Sequence, residues 1–540
     1  MRIWNKSIGI RALVAVTTAT LVLGQSNQIE GNRLKAHVRF LSSDSLEGRG
    51  VGARGGRLAE EYLATQLAAF GVKPGGENGT YFQTVPMVGV ATDPGSQFSV
   101  IKDGQKLDLK WQDEFVGATH TQKRTVPFEA EAVFVGHGIV SRPDEWDDYK
   151  GANVKGKLVV LFTNEPQPEN PMVFKGRTLT YAGRWTYKFE EAARQGALGC
   201  VIIHTSPTAG YGWEVVRNSW SKEDPQMQLE ANSVPLTFAG WVTQDAGEKI
   251  LKLSGHSVDE LLKAADSPNF KPIPLGVTIR GNLTAKIREI QSRNVLGIIP
   301  GSDPKLKDEY VVFSAHWDHL GVALPINGDS IYNGAIDNGT GCAVVLETAR
   351  VFANLRQKPR RSILIAFWTA EESGLRGAEY YSHHPLIPPN KTAVNINYDA
   401  LFPSARTRDV VMTAAERTTI WPLIQATAKQ FEFTISPEAR PEQGSFYRSD
   451  HFMLARVGVP AFRIVLGNKI VGKPDNAADD AFVDYNTKRY HQPSDEFRED
   501  WDFSSLEHAG RFGYTLGLNI ANQEALPKWN SGDEFAVSNR

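Results

Sequence analysis

The sequence has little cysteine and no excess of either charge. Its 540 residues include 2 cysteines, Cys200 and Cys342, which make no disulfide framework, so a hydrophobic core must stabilise the chain. Lysine and arginine number 59 against 61 acidic residues, which gives a formal net charge of -2. This balance excludes a global basic field of the kind that attracts nucleic acid or anionic lipid. No nucleic-acid partner is therefore expected.

Long apolar runs are also scarce, and the run at the amino terminus is short. Residues 12–23 are apolar, follow three basic residues and precede the polar segment GQSNQ. This layout is typical of a secretory signal peptide, which we predict over residues 1–24. The alternative is an uncleaved anchor, although the apolar segment is too short for a comfortable membrane span. We expect a secreted or periplasmic protein with no transmembrane span in the mature chain.

Two glycine-rich segments resemble nucleotide-binding motifs only superficially. The first, SLEGRGVGARGG, has G-x-G-x-x-G spacing but follows a helical pattern, whereas a dinucleotide fingerprint follows a strand. We therefore predict a turn between two helices of the segment 32–71. The second, GANVKGK, precedes its strand, and Leu158 stands where a phosphate loop has the serine or threonine that touches magnesium. Neither segment predicts nucleotide binding.

The length of the chain and the order of its predicted strands and helices indicate several structural units. A length of 540 residues is long for one domain. From Asn294 onward, apolar strands alternate with helices, which is typical of a mostly parallel sheet sandwiched by helices. We predict this α/β fold for residues 281–540, a separate β-rich α/β insertion over 116–280, and an amino-terminal part of the main domain over 25–115.

Several predicted strands of the main domain end at a residue that can bind a metal. YVVFSA ends at His316, IAFWTA ends at the pair Glu371 and Glu372, and VNINY ends at Asp399. Open α/β sheets bind ligands at the carboxyl ends of their strands. Two further residues complete the set: Asp337 lies in the glycine-rich NGAIDNGTG and His491 lies in RYHQPSDEF. Histidines and carboxylates together suit zinc or a similar divalent ion.

Spacing suggests separate tasks for some of these residues. Side chains alternate along an extended segment, so Glu371 and Glu372 can have different partners, one holding a metal and the other handling protons. The alternative for an isolated pair of glutamates is a solvated surface turn. Residues two apart on a strand share a face, so we expect the Asp318 carboxylate to accept a hydrogen bond from the ring of His316.

The order of these motifs resembles a known family of zinc aminopeptidases and carboxypeptidases, peptidase family M28. The matching segments over residues 285–525 are AHWDH, GAIDNGTG, FWTAEESGLRGAEYY, NINYDALF, SDHFMLARVGVPAF and YHQPSDEF. LEGRGVGARGGRLAEEYLATQL resembles the amino-terminal segment of bacterial members. Within the insertion, YKGANVKGKLVVL and EEAARQGALGCVII resemble a protease-associated domain, a noncatalytic insert found in several peptidase families.

The resemblance implies a zinc exopeptidase fold of the phosphorylase/hydrolase-like type and two Zn²⁺ ions, with Co²⁺ or Mn²⁺ as possible substitutes. His316 and Asp399 would complete one metal site, Glu372 and His491 the other, and Asp337 would bridge both. Metal ions in such pairs lie roughly 3.5 to 4 Å apart, and they need a bridging carboxylate and hydroxide to offset cation repulsion. Asn338 follows Asp337 where the family often has a second aspartate, and we expect the bridge to survive this change.

The resemblance also implies roles in catalysis and substrate binding. Glu371 would be the general base that takes a proton from the bridging water, after which hydroxide attacks the scissile carbonyl. Tyr490 is the candidate to approach the oxyanion, with a packing tyrosine as the alternative. His451, after the apparent helix cap formed by Ser449 and Asp450, and Tyr447 are candidates for the substrate pocket.

An aminopeptidase acting on peptides is the activity that we expect. The carboxypeptidase branch of the family carries a sizeable helical dimerisation region after the catalytic domain, whereas about fifty residues follow His491 here. Two alternatives are a glutamate-carboxypeptidase-like enzyme and a glutaminyl-cyclase-like enzyme with a single zinc. A noncatalytic relative would lack ligands, and this sequence retains all five. We expect a monomer or a weak dimer.

Overall fold

The computed structural model describes residues 28–167, 173–176 and 178–536, so the predicted signal peptide over residues 1–24 lies outside the described residues. The helices are α1 (Gly31–Leu41), α2 (Arg54–Ala69), α3 (Trp185–Arg194), α4 (Ser206–Ala209), α5 (Trp213–Trp220), α6 (Gln244–Leu253), α7 (Val258–Ala265), α8 (Gly341–Ala353), α9 (Arg376–His383), α10 (Trp421–Gln430), α11 (His451–Arg456), α12 (Ala477–Lys488) and α13 (Ser504–Asn522).

The strands vary in length from two residues to 27. They are β1 (Lys73–Pro74), β2 (Phe82–Thr92), β3 (Gln97–Lys102), β4 (Gln105–Asp108), β5 (Phe115–Ala118), β6 (Thr125–Phe134), β7 (Val140–Ser141), β8 (Trp146–Asp147), β9 (Leu158–Phe162), β10 (Gly199–Ile203), β11 (Asp224–Met227), β12 (Phe238–Val242), β13 (Ile273–Ile299), β14 (Tyr310–His316), β15 (Gly321–Ile326), β16 (Asp329–Tyr332), β17 (Ser362–Trp368), β18 (Thr392–Asn397), β19 (Asp409–Val411), β20 (Thr434–Ile435), β21 (Ala461–Arg463) and β22 (Val465–Leu466).

The main domain is built on the sheet order β21-β18-β14-β17-β13. The first four of these strands are mutually parallel, and β13 runs antiparallel to β17. Every residue of β17 is buried, because helices cover both faces of the sheet. One core includes residues of α1, α2, α8 and α13, and the opposite core includes residues of α9 and α11. The predicted α/β fold with a mostly parallel, helix-covered sheet is confirmed.

Strand β13 runs without interruption through both units. Residues 273–284 of β13 pair with β6 and β3, whereas residues 285–299 pair with β2 and β17. The domain boundary predicted at residue 280 therefore falls inside a continuous strand. The sequence indicated only the apolar end of this strand, NVLGIIPG, because the preceding residues alternate in burial and carry many charges.

The inserted unit has its own core and its own parallel strands. Its sheet continues from β13 through β6, β9, β10 and β12 to β5, and α3, α6 and α7 flank it. Phe98 and Phe115 pack in the same buried cluster as Val160, Val201 and Phe238. The packing of this unit therefore begins near residue 98, before the predicted boundary at residue 116.

Other local predictions fare differently. Within the alternating pattern after residue 294, the segment DVVMTA was expected to be a strand. Its first three residues form β19, which belongs to a small sheet with β20 and β22 and not to the main sheet. Ser449 and Asp450 precede α11 as predicted, yet neither side chain caps it, because the Ser449 hydroxyl accepts a bond from Asn397. Both cysteines are free and buried. Among the described residues, no helix is long and apolar enough to cross a membrane.

Candidate metal centre

The predicted ligands meet at one edge of the main sheet. His316 is the last residue of β14 and pairs in register with Trp368, the last residue of β17. The turn that follows β17 carries Glu371 and Glu372, and Asp399 lies two residues beyond the end of β18. Because these three strands are parallel neighbours, their carboxyl ends bring the side chains together.

One group of side chains surrounds the Nε2 atom of His316. This atom lies 3.2 Å from Asp337 Oδ1, 3.3 Å from Asp399 Oδ1 and 3.9 Å from Glu371 Oε2. Asp337 reaches the group from an irregular turn over residues 335–340 that opens α8. The atoms of His316, Asp337 and Asp399 are the donors that would face a cation at the first predicted site.

A second group surrounds Glu372. Its Oε2 lies 3.0 Å from His491 Nε2, and its Oε1 lies 2.6 Å from His319 Nδ1. His491 Nε2 is also 3.6 Å from Asp337 Oδ2. Asp337 thus faces His316 with one oxygen and His491 with the other, and it lies between the two groups.

His319 was not selected from the sequence as a ligand or as a support. Its ring is completely buried, and the Nε2 atom has no hydrogen-bond partner among the described residues. His319, Asp337 and Glu372 form one of the triads whose donor atoms lie within 4.8 Å of one another. The signal available in the sequence was its place in AHWDH, directly after Asp318.

Asp318 supports the site differently from the prediction. The Nδ1 atom of His316 lies 3.1 Å from the carbonyl oxygen of Asp318, whereas the nearer carboxylate oxygen is 3.8 Å away. The Asp318 carboxylate instead accepts hydrogen bonds from the backbone amides of Glu371 and Glu372. The predicted carboxylate contact is therefore replaced by a carbonyl contact, because β14 ends at His316 and the carboxylate turns toward the neighbouring turn.

The two adjacent glutamates have opposite pKa shifts. Burial raises the pKa of Glu371 well above its ordinary value, and the negative charges of Asp399 and Glu372 add to this effect, which His316 only partly offsets. Burial also acts to raise the pKa of Glu372, but His491 and His319 outweigh it and hold that pKa well below the ordinary value. The two adjacent glutamates therefore differ in how strongly each holds a proton.

The pKa values of Asp337 and His491 are also set by burial and by neighbouring charged groups. Burial and Glu372 act to raise the pKa of Asp337, yet hydrogen bonds with His316 and His491 prevail and lower it. Burial acts to lower the pKa of His491, but Glu372 and Asp337 raise it to about 9. The carboxylates of Glu372 and Asp337 therefore stabilise a positive charge at His491.

This arrangement fits a divalent cation. Buried carboxylates are costly unless they are paired or coordinate a metal, and here several converge on a few imidazole nitrogens. Triads with donor atoms within 4.8 Å of one another recur around His316 and around Glu372. Nitrogen and oxygen donors of this kind are those that zinc binds in proteins. The triads contain His316, His319, Asp337, Glu371, Glu372 and Asp399. His491 is in none of them, but its Nε2 atom faces Glu372 and Asp337, so it could also hold metal.

Buried polar residues outside the ligand set shape the loop that carries Asp337. The side chain of Arg49, in the LEGRG segment, is almost fully buried. Asp495 of YHQPSDEF accepts hydrogen bonds from the amides of Ile336 and Asp337. Neither role was predicted from the sequence. The guanidinium of Arg49 donates to the backbone carbonyls of Leu41 (2.6 Å), Trp317 (2.7 Å), Asn333 (2.6 Å), Gly334 (2.9 Å) and Asp337 (3.4 Å).

Two cavities meet at the cluster. One, of about 430 Å³, lies within the main domain, and the other, of about 370 Å³, lies between the main domain and the inserted unit. Both are lined by Glu371, Glu372, Arg448 and Tyr490. The Tyr490 ring lies 4.0 Å from that of His491, and burial raises the pKa of its hydroxyl well above the ordinary value. Tyr490 therefore lies beside the candidate ligand His491 and lines both cavities.

The two predicted substrate-binding residues have different surroundings. Tyr447 lines the 370 Å³ cavity, but its hydroxyl lies 3.3 Å from Glu534 Oε1. His451 is completely buried, packs edge-on against Phe446 and lines neither of the two cavities.

Two arginines lie beside the cluster without a carboxylate partner. Arg184 of the inserted unit and Arg448 both line the 370 Å³ cavity, and among the described residues neither forms an ion pair. Burial lowers the pKa of Arg184 to about 10, and the positive charge of Arg448 adds to this effect. The pair gives the cavity a cationic wall that a small anion would neutralise.

Comparisons with known proteins find similarity to peptidases over part of the chain. Residues 294–514 match the model of peptidase family M28. Aminopeptidase NAALADL1 of Rattus norvegicus is 33% identical over 181 residues, which cover 31% of this chain and 22% of that protein. Carboxypeptidase Q of Homo sapiens is 23% identical over 248 residues, covering 45% and 42%. The chain thus spans less than half the length of these curated relatives.

A solved structure shares the fold across most of the chain. The aminopeptidase from Aneurinibacillus sp. strain AM-1 superposes with a TM-score of 0.54 at 17% identity, covering 92% of this chain and 96% of that one. The region matched by the family model spans β14, β17 and β18, whose ends carry most of the candidate ligands. Residues 294–514, which contain all five predicted metal ligands, are thus similar to peptidase family M28.

Proposed function

We propose that this protein is a zinc-dependent exopeptidase, and specifically an aminopeptidase that hydrolyses the first peptide bond of peptides. The observation that carries the proposal is the position of Asp337, whose two oxygens face His316 at 3.2 Å and His491 at 3.6 Å. A carboxylate placed between two histidine-carboxylate groups suits a pair of closely spaced cations. A site for a single cation would not require this shared oxygen pair.

The bound ions, Glu371 and Tyr490 would have different roles in hydrolysis. Zinc ions bound here would polarise the scissile carbonyl and lower the pKa of a water molecule. Glu371, whose pKa is raised by burial, takes a proton from that water at a carboxylate oxygen and delivers it to the departing amine. The water oxygen forms the new bond to the carbonyl carbon as the carbon–nitrogen bond breaks. Tyr490 lines the cavity where the carbonyl oxygen would lie.

A second candidate function rests on Arg184 and Arg448. Their cationic wall beside Glu371 could bind the free carboxylate of a peptide, as a carboxypeptidase or dipeptidase requires. The aminopeptidase proposal needs an anionic or polar group to receive the free amine instead. Asp224 lines the 370 Å³ cavity and could supply such a group.

A substrate scan on zinc-loaded protein separates these activities. The aminopeptidase proposal expects turnover of aminoacyl-nitroanilides and little turnover of amino-blocked dipeptides with a free carboxylate. The reverse pattern would support the second candidate. Turnover of neither class, with glutaminyl peptides cyclised instead, would favour the single-zinc cyclase.

We further propose that the inserted unit is a protease-associated domain and that residues 1–24 direct export to the periplasm or the medium. Peptides would be the partners of a monomer or weak dimer. The export proposal rests on the basic and apolar layout of the amino terminus. Amino-terminal sequencing of protein recovered outside the cytoplasm should begin after residue 24, and an intact Met1 would contradict the proposal.

A further inference from the structure

Helix α5 of the inserted unit contacts the candidate metal ligand His491. The hydroxyl oxygen of Ser219 lies 2.8 Å from His491 Nδ1, and the side-chain amide of Asn218 donates to the His491 carbonyl at 3.0 Å. Asn218 and Ser219 precede His491 by more than 270 residues in the chain. These contacts connect the inserted unit to the second group of candidate ligands.

The contact with Ser219 suits a ring that binds a cation. His491 Nε2 faces Glu372 at 3.0 Å and Asp337 at 3.6 Å. A neutral imidazole that binds metal through Nε2 keeps its proton on Nδ1, and the Ser219 hydroxyl oxygen is placed to accept it. Such a bond selects the tautomer and limits rotation of the ring.

The contact with Asn218 acts on the backbone of His491. His491 has a φ of 56°, in the left-handed region that residues with a Cβ rarely adopt. Strained positions persist when the surrounding structure determines them. The completely buried Asn218 holds the His491 carbonyl in place and so supports this conformation.

Packing within the inserted unit fixes the position of α5. The Trp220 ring lies 5.7 Å from that of Trp185 and 5.6 Å from that of Phe189, both on α3. Val216 is buried in the core of the unit, and the indole of Trp213 donates to the carbonyl of Gln112. The two residues that contact His491 therefore lie on a helix that packs into the inserted unit, and not on a loop.

We propose that Ser219 and Asn218 are positioning residues through which the inserted unit completes the metal centre. The unit then does more than cover the cavity, because it holds one ligand in its metal-binding orientation. This inference rests on the proposed function, since it takes His491 as a zinc ligand. Partners of metal-bound histidines typically change metal affinity about 10- to 100-fold when they are lost.

The test compares two variants of equal shape at one position. Ser219→Val removes the hydroxyl, whereas Ser219→Thr keeps it and has nearly the same volume. Competition with a chromophoric chelator measures the zinc affinities of the full-length protein and of each variant. We expect Ser219→Val to raise one of two zinc dissociation constants about 10- to 100-fold and Ser219→Thr to stay near wild type. The visible spectrum of the Co²⁺-substituted protein should change in the Val variant only.

Ser221→Ala provides a control for general damage to the end of α5. The Ser221 hydroxyl is buried and has no hydrogen-bond partner among the described residues, so this variant should bind zinc as the wild type does. Equal zinc affinities and equal Co²⁺ spectra for the Val and Thr variants would overturn the inference. Failure of the wild-type protein to bind two zinc ions would instead overturn the proposed function.

Discussion

At the scale of single residues, Glu371 and Glu372 show how position divides the tasks of identical side chains. Glu372 is paired with two histidines at 3.0 Å or less, whereas Glu371 lies 3.9 Å from its nearest histidine nitrogen. Their pKa values accordingly shift in opposite directions. The geometry is consistent with Glu372 as a ligand and Glu371 as a proton carrier.

Replacing Glu371 by glutamine should remove proton transfer and preserve shape. We expect kcat for the best peptide substrate to fall by about 10²- to 10⁴-fold, while the zinc content stays the same. Steady-state kinetics together with elemental analysis of the purified variant measure both quantities. A Glu371→Gln enzyme with full metal and undiminished kcat would contradict the assignment.

Arg49 is the clearest structural support for the loop that carries Asp337. Its guanidinium donates to five backbone carbonyls, and a lysine has neither the planar fork nor enough directed donors to replace it. We expect Arg49→Lys to lower the free energy of unfolding by about 3 kcal/mol, since bonds to charged groups contribute roughly 1.5–3 kcal/mol each and do not add fully. Denaturant titration measures the change.

The exposed Arg57 on α2 offers a matched control for this substitution. Arg57→Lys should leave the unfolding midpoint within error of wild type. An Arg49→Lys protein as stable as the Arg57→Lys protein would show that the carbonyl contacts contribute little.

The sequence could predict ligands that end strands but not the residues that support them. His316, Glu372 and Asp399 follow apolar strands, and this local signal needs no knowledge of distant contacts. Ser219 and Arg49 are different, because each acts on a segment more than 200 residues away. Their roles depend on tertiary packing, and a serine or an arginine in isolation carries no signal of it.

At the scale of elements, the alternation of strands and helices after residue 294 was sufficient to predict the main sheet. The sequence was less informative for β13. Along most of its 27 residues, buried positions alternate with partly or fully exposed ones. Sequence patterns of strands are usually recognised over 4–8 residues. A single strand that serves two sheets therefore looked like a strand in one domain and a boundary in the other.

His508 on helix α13 should make the free energy of unfolding depend on pH. His508 stacks on Phe433 at 4.3 Å, and burial lowers its pKa from 6.5 to about 4, with the nearby Arg406 adding to the effect. Between these values the unfolded chain binds more protons than the folded chain. The contribution to stability is therefore complete above pH 6.5 and is lost as the pH falls to about 4.

Replacing His508 by glutamine should remove this dependence. We expect the His508→Gln protein to lose about 1–2 kcal/mol less stability on acidification than the wild type does, after allowance for the solvent screening of a half-buried ring. Urea unfolding of metal-free protein at pH 7 and pH 4.5 measures the difference. Identical losses for wild type and variant would contradict the prediction.

At the scale of the whole molecule, the inserted unit and the main domain share a strand, a cavity and a contact with the candidate ligand His491. β13 pairs in both units, and the 370 Å³ cavity is lined by Arg184 and Trp220 from one unit and by Glu371 and His491 from the other. The candidate metal centre therefore depends on the assembled chain and not on the main domain alone.

The number of zinc ions bound per chain tests the central claim most directly. Equilibrium dialysis of the full-length protein against zinc, followed by elemental analysis, should give two equivalents for the wild type. His316→Ala and His491→Ala should each retain one, because each removes a ligand from a different group. A single equivalent in the wild type, or two equivalents retained in both variants, would contradict a dinuclear centre shared through Asp337.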